Sequence, residues 1–320
     1  MQPLSNNARY TMASGAVMVT GARGFVGAAL VRRLASAGFH VIAAPRRQAE
    51  EADPLDIDRY AHVDMSHCFC IVHLAARVHQ MNDASLNPLA EYRRDNVEAT
   101  LCLARRAAAE GVKRFVFIST IKVNGESTPL GKAFTEADTP NPQDPYAISK
   151  YEAEQGLMAI AVQTGLEVVV IRPPLVYGPG VGANFAALSH AVLRRWPLPL
   201  GAVNNKRSLV SLDNLVDFIV TCITGPEAAN EVFLVSDGHD LSTTELCKGL
   251  AQAAGVRPRL IPVPVWLIKG AALLSGKQGA ASRLCASLQV DLTKAQDRLG
   301  WVPPVAVHQG LCRVFGGGAV

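Results

Sequence analysis

Ala16-Val-Met-Val-Thr20-Gly21-Ala-Arg-Gly24-Phe25-Val26-Gly27-Ala-Ala-Leu30-Val31-Arg-Arg-Leu34 is the stretch that decides how the chain is read. Ala16 to Thr20 is a short apolar run rich in β-branched residues and predicts a strand, while Leu30, Val31 and Leu34 recur at helical spacing. Between them stand three glycines with two residues in each gap. Strand, glycine turn and helix in that order suit a pyrophosphate, because glycine lets the backbone approach closely and the N–H groups opening a helix carry partial positive charge. A glycine triplet by itself also serves ordinary turns, and this spacing is not Gly-x-Gly-x-x-Gly; its weight comes from its place between strand and helix. The expected nucleotide cradle is Gly21, Gly24, Phe25, Val26 and Gly27.

Outward from this unit, His40 to Ala44 predicts a second strand after the turn Ala37-Gly38. The end of that strand faces the adenosine ribose in a Rossmann unit, where an acid selects NAD and a base accommodates the 2′-phosphate of NADP. Here Pro45-Arg46-Arg47 follows, with no acid before Glu50. Arg46 and Arg47 are therefore expected to favour NADP, with NAD possible and a solvated basic loop as the plain alternative. Cys70 to Ala76, Phe115 to Ser119 and Glu167 to Arg172 are continuous apolar runs of the kind found in buried parallel strands, and Asn96 to Glu110 predicts a helix stopped by Gly111. This alternation gives an α/β fold, a Rossmann-like doubly wound parallel sheet. After Tyr177 the pattern shifts to Gly/Pro turns and shorter segments, which predicts a smaller C-terminal α+β substrate domain. The expected division assigns residues 1–177 and about 206–236 to the dinucleotide, and 178–205 and about 237–320 to the substrate.

Composition narrows the function classes. With 320 residues, 49% of them hydrophobic and 18% charged, the chain can bury a large core. A net charge of +4, with no basic stripe interleaved with aromatics, asks for no nucleic acid. The seven cysteines include no Cys-x-x-Cys pair, and His67-Cys68-x-Cys70 adjoins an apolar strand, so reduced core cysteines and no metal are expected. Met1 to Ser14 lacks an apolar leader segment, which points to the cytoplasm. Val263 to Leu274 is apolar but interrupted by Lys269 and Gly270 and too short to span a bilayer; a packed helix is expected and no membrane partner.

Chemistry enters at Pro145-Tyr146-Ala-Ile-Ser-Lys150, behind a proline-rich segment that ends where a helix begins. Residues four apart share a helical face, so an ammonium at Lys150 stands beside the phenol of Tyr146 and is expected to favour its phenolate. Tyr-x-x-x-Lys is common by chance in helices; its meaning comes from the nucleotide-type start and from the preceding strand ending in Ser119-Thr120.

Thr20-Gly-x-x-Gly-x-x-Gly27, His73-Leu74-Ala75-Ala76, Asn96, Ser119-Thr120, Tyr146-x-x-x-Lys150 and Arg172-Pro-Pro-Leu-Val-Tyr-Gly-Pro-Gly180 together resemble the extended short-chain dehydrogenase/reductase family over nearly the whole chain. The resemblance implies catalytic Thr120, Tyr146 and Lys150, with Thr120 hydrogen-bonding the reacting sugar oxygen, Tyr146 exchanging its proton and Lys150 holding the nicotinamide ribose. It further implies cofactor contacts from Leu74, Ala75, Ala76, Asn96, Ser119, Pro173 and Leu175, and an adenine contact from Asp56-Ile57 or Asp64-Met65. Asp56 is preferred because it leaves room for a short helix before Ile71. Asn184 and Arg207 resemble the family's substrate contacts, with Arg283 a second candidate for the diphosphate. One departure stands out: Val123-Asn124-Gly125 replaces the usual Val-Tyr-Gly.

Within that family, Ile121-Lys122 after Thr120 lacks the Asp-Glu of sugar 4,6-dehydratases, which excludes that reaction. A 4-ketoreductase drawing on NADPH and a 4-epimerase with retained NAD are left. The wording around Ile121 to Glu126, Pro142 to Pro145, Asn184-Phe185 and Arg207-Ser208 resembles bacterial surface-polysaccharide enzymes and, with Arg46 and Arg47, favours a UDP-4-keto-6-deoxy-N-acetylhexosamine 4-reductase. The alternative is a UDP-hexose or UDP-N-acetylhexosamine 4-epimerase. A silent nucleotide-binding sensor fits less well, since Tyr146 and Lys150 are both kept, and Arg207 with Asn184 speaks against a steroid or flavonoid substrate. The family resemblance also implies a homodimer through the helices at 96–110 and 146–162.

Overall fold

The structure is a computed structural model that describes residues 15–44, 60–78, 87–276 and 278–316. Arg46, Arg47, Asp56 and Ile57 lie outside the described residues. The chain opens with β1 (Ala16–Thr20), α1 (Phe25–Ser36) and β2 (Val41–Ala44), and continues through β3 (Cys68–His73), α2 (Pro88–Arg93), a π-helical turn (Arg94–Glu98) and α3 (Ala99–Ala109) to β4 (Arg114–Ile118). Next come a short 3₁₀ turn (Ile121–Val123), β5 (Ala133–Phe134), α4 (Pro145–Thr164), β6 (Glu167–Arg172), β7 (Leu175–Tyr177), α5 (Ala183–Leu193), β8 (Leu209–Ser211), α6 (Leu212–Thr224) and β9 (Glu231–Leu234). The C-terminal part contributes α7 (Thr243–Ala253), α8 (Val265–Leu274), α9 (Gln278–Cys285), β10 (Gln289–Val290), α10 (Thr293–Leu299) and α11 (Val307–Val314).

Six parallel strands lie in the order β2-β1-β3-β4-β6-β9. Successive side chains of a strand face opposite sides, so Val17 and Val19 join one core with Leu30, Leu34 and Phe218, while Met18 joins the other with Phe115, Leu103 and Leu157. Helices α1 and α6 thus cover one face and α3 and α4 the other, which is the doubly wound architecture and explains why the strands read as unbroken apolar runs. The connections leave β1 in opposite directions, to β2 on one side and β3 on the other. That reversal opens a crevice outside the carboxyl ends of β1 and β3. A third core gathers Tyr177, Phe185, Leu246, Leu250, Val307 and Leu311.

Two buried polar groups hold the sheet to its surroundings. Arg114, 2% exposed, donates from Nη1 to the carbonyls of Cys222, Ile223 and Gly225 at the end of α6 and from Nη2 to Glu167 at 2.6 Å. A cation there satisfies carbonyls that the helix end leaves without partners. His73 closes β3: its Nδ1 lies 2.8 Å from Thr20 Oγ1 and its Nε2 3.0 Å from Thr100 Oγ1. Because Thr20 Oγ1 already accepts from the N–H groups of Leu74 and Ala75, its one proton goes to Nδ1, which leaves Nε2 to donate to Thr100.

The same hydroxyl explains a difference from the expected strand limits. Strand β3 stops at His73 rather than Ala76, since Thr20 draws two successive N–H groups off the ladder and turns Leu74 to Ala76 into a loop at the crevice. The apolar run 263–274 is helical and packed, as expected, through Val265 and Ile268. It forms α8, but Ala272 is its one buried residue; Trp266 is 71% and Leu274 91% exposed, because one face alone meets the third core.

Burial holds His73 neutral, pushing it down to about 3 from 6.5. Below about pH 6.5 the unfolded chain takes up a proton that the folded state refuses, so this contribution to stability is present above that value and falls with pH. Denaturant unfolding of the cofactor-free protein should lose roughly 3 kcal/mol more between pH 6.5 and about 4 than His73→Asn does, at about 1.4 kcal/mol per unit. Equal slopes for the two proteins would refute the assignment.

Candidate active site

The crevice is a cavity of about 770 Å³ lined by the turn Gly21 to Gly27, the end of β2, Tyr60, the loop Leu74 to Val78, Ser119, Tyr146 and Lys150. Two close approaches shape its floor. Gly21 has φ +67°, and a Cβ there would meet Ala75 N at 2.9 Å; a Cβ on Gly27 would meet the Gly21 carbonyl oxygen at 2.1 Å. Only glycine allows α1 to begin so near the end of β1. Gly24 is the N-cap of α1 and supplies no side-chain cap, so the N–H groups of the first turn face the crevice without a local side-chain acceptor. An anionic diphosphate fits that chemistry.

Helix α4 carries both Tyr146 and Lys150. Asp144 caps it, accepting from Ala147 N at 2.7 Å while its other oxygen pairs with Lys122 at 2.5 Å, and Pro145 sits where its missing N–H costs nothing. Tyr146 packs edge-on against Tyr92, and its carbonyl accepts from Ser149, which in turn accepts from Asn96. Lys150, 2% exposed, holds its Nζ 3.8 Å above the Phe117 ring. The expectation that Lys150 draws the Tyr146 phenol toward ionisation is not met in this state. Burial first, then Asp144 and Tyr92, push Tyr146 above its ordinary value. Lys150 is itself driven down to about 7 by burial against the opposing pull of Glu154.

Beneath this pair runs a buried ionic network. Glu154 accepts from Arg172 Nη2 at 2.5 Å and from Ser119 Oγ, and Arg172 Nη1 donates to Asn124 Oδ1 at 2.9 Å. Asn124 completes the set by donating to the Thr135 carbonyl at 2.9 Å. The departure at position 124 is therefore a buried acceptor for Arg172.

The structure brings together around one cavity Gly21, Gly24, Phe25, Val26, Gly27, Leu74, Ala75, Ala76, Ser119, Tyr146 and Lys150. It does not place Asn96, Thr120, Pro173 or Leu175 in that lining. Asn96 is spent as a strut: its side chain accepts from Arg77 N at 2.7 Å and donates to the Arg77 carbonyl and to Ser149. Thr120 caps the 3₁₀ turn by accepting from Lys122 N, Pro173 is buried with its carbonyl accepting from Ile121 N, and Leu175 is 44% exposed. Asp64 is no part of the lining either; its carboxylate accepts from Ser66 N. Asn184 is exposed on α5, whereas Arg207 reaches the end of α9 and donates to the carbonyls of Arg283 at 2.9 Å and Ala286 at 3.2 Å. Tyr60, Arg77, Val78 and Asp95 line the cavity without having been singled out from the sequence. No motif marks them, because they come from three separate segments, the turn at Tyr60, the loop after β3 and the π-helical turn, that no single spacing joins.

The family model for the NAD dependent epimerase/dehydratase family matches residues 17–236. The UDP-glucose 4-epimerase of Vibrio cholerae is 45% identical over 303 residues, 92% of each chain. Among solved structures, UDP-glucose 4-epimerase of Thermotoga maritima with UDP-glucose superposes with a TM-score of 0.69 at 26% identity over 94% of this chain and 97% of that one. RMD of Pseudomonas aeruginosa complexed with NADPH superposes at 0.75 with 24% identity, covering 94% and 98%, a likeness of fold.

Gly27→Ala should remove dinucleotide binding, since the new methyl needs space held by backbone at 2.1 Å. A calorimetric titration should show at least about tenfold weaker binding, and unfolding a loss of about 1–3 kcal/mol, the usual range for overpacking. Unchanged binding would mean that the cradle is not the cofactor site.

Proposed function

The chain belongs to the NAD dependent epimerase/dehydratase family, and from that premise we propose that it is a UDP-hexose 4-epimerase that works with a retained NAD. The observation that carries this reading is the 45% identity to the Vibrio cholerae UDP-glucose 4-epimerase over 92% of both chains. Net reduction of a UDP-4-keto-6-deoxy-N-acetylhexosamine by NADPH, the reaction favoured by residue wording, leaned on Arg46 and Arg47, which the structure does not describe. Identity at that level, spread over nearly the whole length, outweighs two basic residues in one loop.

The cavity's chemistry fits a dinucleotide: a glycine floor, an uncapped helix start and the apolar loop Leu74 to Ala76. When bound, the dinucleotide supplies reversible hydride exchange with a sugar carbon. Gly21, Gly24, Phe25, Val26 and Gly27 would hold its diphosphate by backbone N–H groups, and Lys150 and Ser119 would hold the ribose nearest the reacting centre. Pro173 and Leu175 would flank its nicotinamide end. Tyr146 takes the proton from the sugar hydroxyl and returns it, with Thr120 hydrogen-bonding the same oxygen. Lys150 lines the cavity on the same helix as Tyr146, with burial holding it well below an ordinary lysine. On the substrate side Asn184, Arg207 and Arg283 would receive the nucleotide diphosphate, a task suited to planar guanidinium groups. This reading assigns residues 1–177 and about 206–236 to the dinucleotide and the remaining C-terminal residues to the substrate, with two chains pairing through α3 and α4.

Purified protein without added nucleotide should interconvert UDP-glucose and UDP-galactose, and Tyr146→Phe should slow this by about 10²–10⁴-fold while leaving cofactor content unchanged. Arg46→Ala with Arg47→Ala should leave turnover within about twofold, since a retained NAD carries no 2′-phosphate for them to meet. Stoichiometric NADPH consumption on a UDP-4-keto-6-deoxy sugar, without epimerisation, would replace this reading with the reductase.

A further inference from the structure

The charge of the chain is unevenly distributed. Residues 178–212 and 246–290 hold ten Lys and Arg and no Asp or Glu, whereas the rest of the chain holds 21 basic and 27 acidic residues. The modest net charge of +4 is therefore the sum of a strongly basic part and an acidic remainder.

Helix α8 lies within the basic part. Val265 and Ile268 turn toward the third core and Ala272 is buried, while Trp266, Leu267, Leu273 and Leu274 are 71%, 44%, 62% and 91% exposed. Positions seven apart stack along a helix, so Trp266 stands in line with Leu273 and Leu267 with Leu274, an outward apolar stripe two turns long with exposed Lys269 between them. The segment leading into α8 is tied to a second exposed segment: Leu198 N donates to the Arg259 carbonyl at 2.8 Å and Gly201 N to the Ile261 carbonyl at 2.9 Å. That pair of segments exposes Ile261 at 48% and Trp196 at 55%, beside exposed Arg194, Arg195 and Arg259.

We propose that this face docks on the anionic surface of a lipid bilayer, with α8 lying in the plane of the headgroups. An amphipathic helix whose outer side carries Trp and Leu, set in a surface rich in Lys and Arg, has the composition of an interfacial helix. Trp places its ring at the boundary of water and hydrocarbon, and each cation near an anionic surface strengthens attachment about fivefold. A second copy of the chain is a poor occupant, because a twofold contact through this face would bring exposed Lys269, Arg194, Arg195 and Arg259 of one copy against the same cations of the other. A nucleic acid offers phosphates to the cations but nothing to Leu273 and Leu274. No described helix is long and apolar enough to cross a membrane, so the attachment is to one leaflet and reversible.

The full chain, mixed with vesicles of equal parts phosphatidylcholine and phosphatidylglycerol, should co-sediment at low salt, release at high salt, and ignore vesicles of phosphatidylcholine alone. Tryptophan emission should shift to the blue on binding, and Trp266→Phe should remove most of that shift. Leu273→Ser with Leu274→Ser should weaken attachment at least about tenfold, since two leucines lose their burial in the headgroup layer, while epimerase turnover in solution stays unchanged. Failure to sediment with anionic vesicles, or equal sedimentation of the double serine variant, would overturn the proposal. So would a wild-type dimer that the same variant dissociates in analytical ultracentrifugation, which would give the face to a second copy.

Discussion

The buried ion pair between Arg172 and Glu154 is the constraint on which the rest of the site depends. It joins the end of β6 to the middle of α4, one turn beyond Lys150, with side-chain exposures of 5% and 2%. Two charges taken that far from water are tolerable only when their remaining hydrogen-bonding positions are filled, and here Ser119 and Asn124 fill them. Removing one partner of such a pair generally costs about 3–5 kcal/mol, so the network has the stiffness to hold α4 at one depth against the sheet. Tyr146 and Lys150 inherit their positions from it. Ser119 belongs to both the network and the cavity wall, which makes Glu154 and Arg172 positioning residues for the site.

A second set of polar contacts holds the smaller core against the sheet. Tyr177 donates to Asp237 at 2.6 Å, and the other oxygen of Asp237 accepts from Ser211 N and Asn214 Nδ2 at 2.8 and 2.7 Å. Asn214 also exchanges two hydrogen bonds with the backbone of Val305. Burial pushes both the phenol and the carboxyl upward, as expected for a proton shared across a dry contact. Tyr177 lies in β7, the strand that follows Arg172, so the ion pair and this clasp lie along one continuous stretch of backbone.

The glycine turn, the buried strands and the Tyr-x-x-x-Lys helix were legible because each is governed by local rules: backbone freedom at glycine, side-chain alternation, four-residue spacing. The doubly wound parallel sheet followed from alternation of strands and helices, whereas the order of its strands came from the tertiary structure. Asn124 was legible as a departure but not as a partner of Arg172, since 48 residues separate them and no periodicity joins them. The effect of Lys150 on Tyr146 was misjudged because spacing reports proximity along a helix and says nothing of dehydration; burial of both groups outweighs their mutual influence. The apolar run at 263–274 was legible as a packed helix but its outward side was not, since composition cannot tell which side of a short helix faces a core.

By itself the sequence determined the doubly wound fold, the glycine turn between β1 and α1 and the placing of Tyr146 and Lys150 on one helix, because these rest on interactions between residues near one another in the chain. Tertiary structure alone decided the protonation of that pair, the polar network beneath it, the use of Asn96 as a strut and of Arg207 as a donor to the end of α9, and the outward aspect of α8. Those properties depend on desolvation and on contacts between distant segments, and both come into being when the chain is packed.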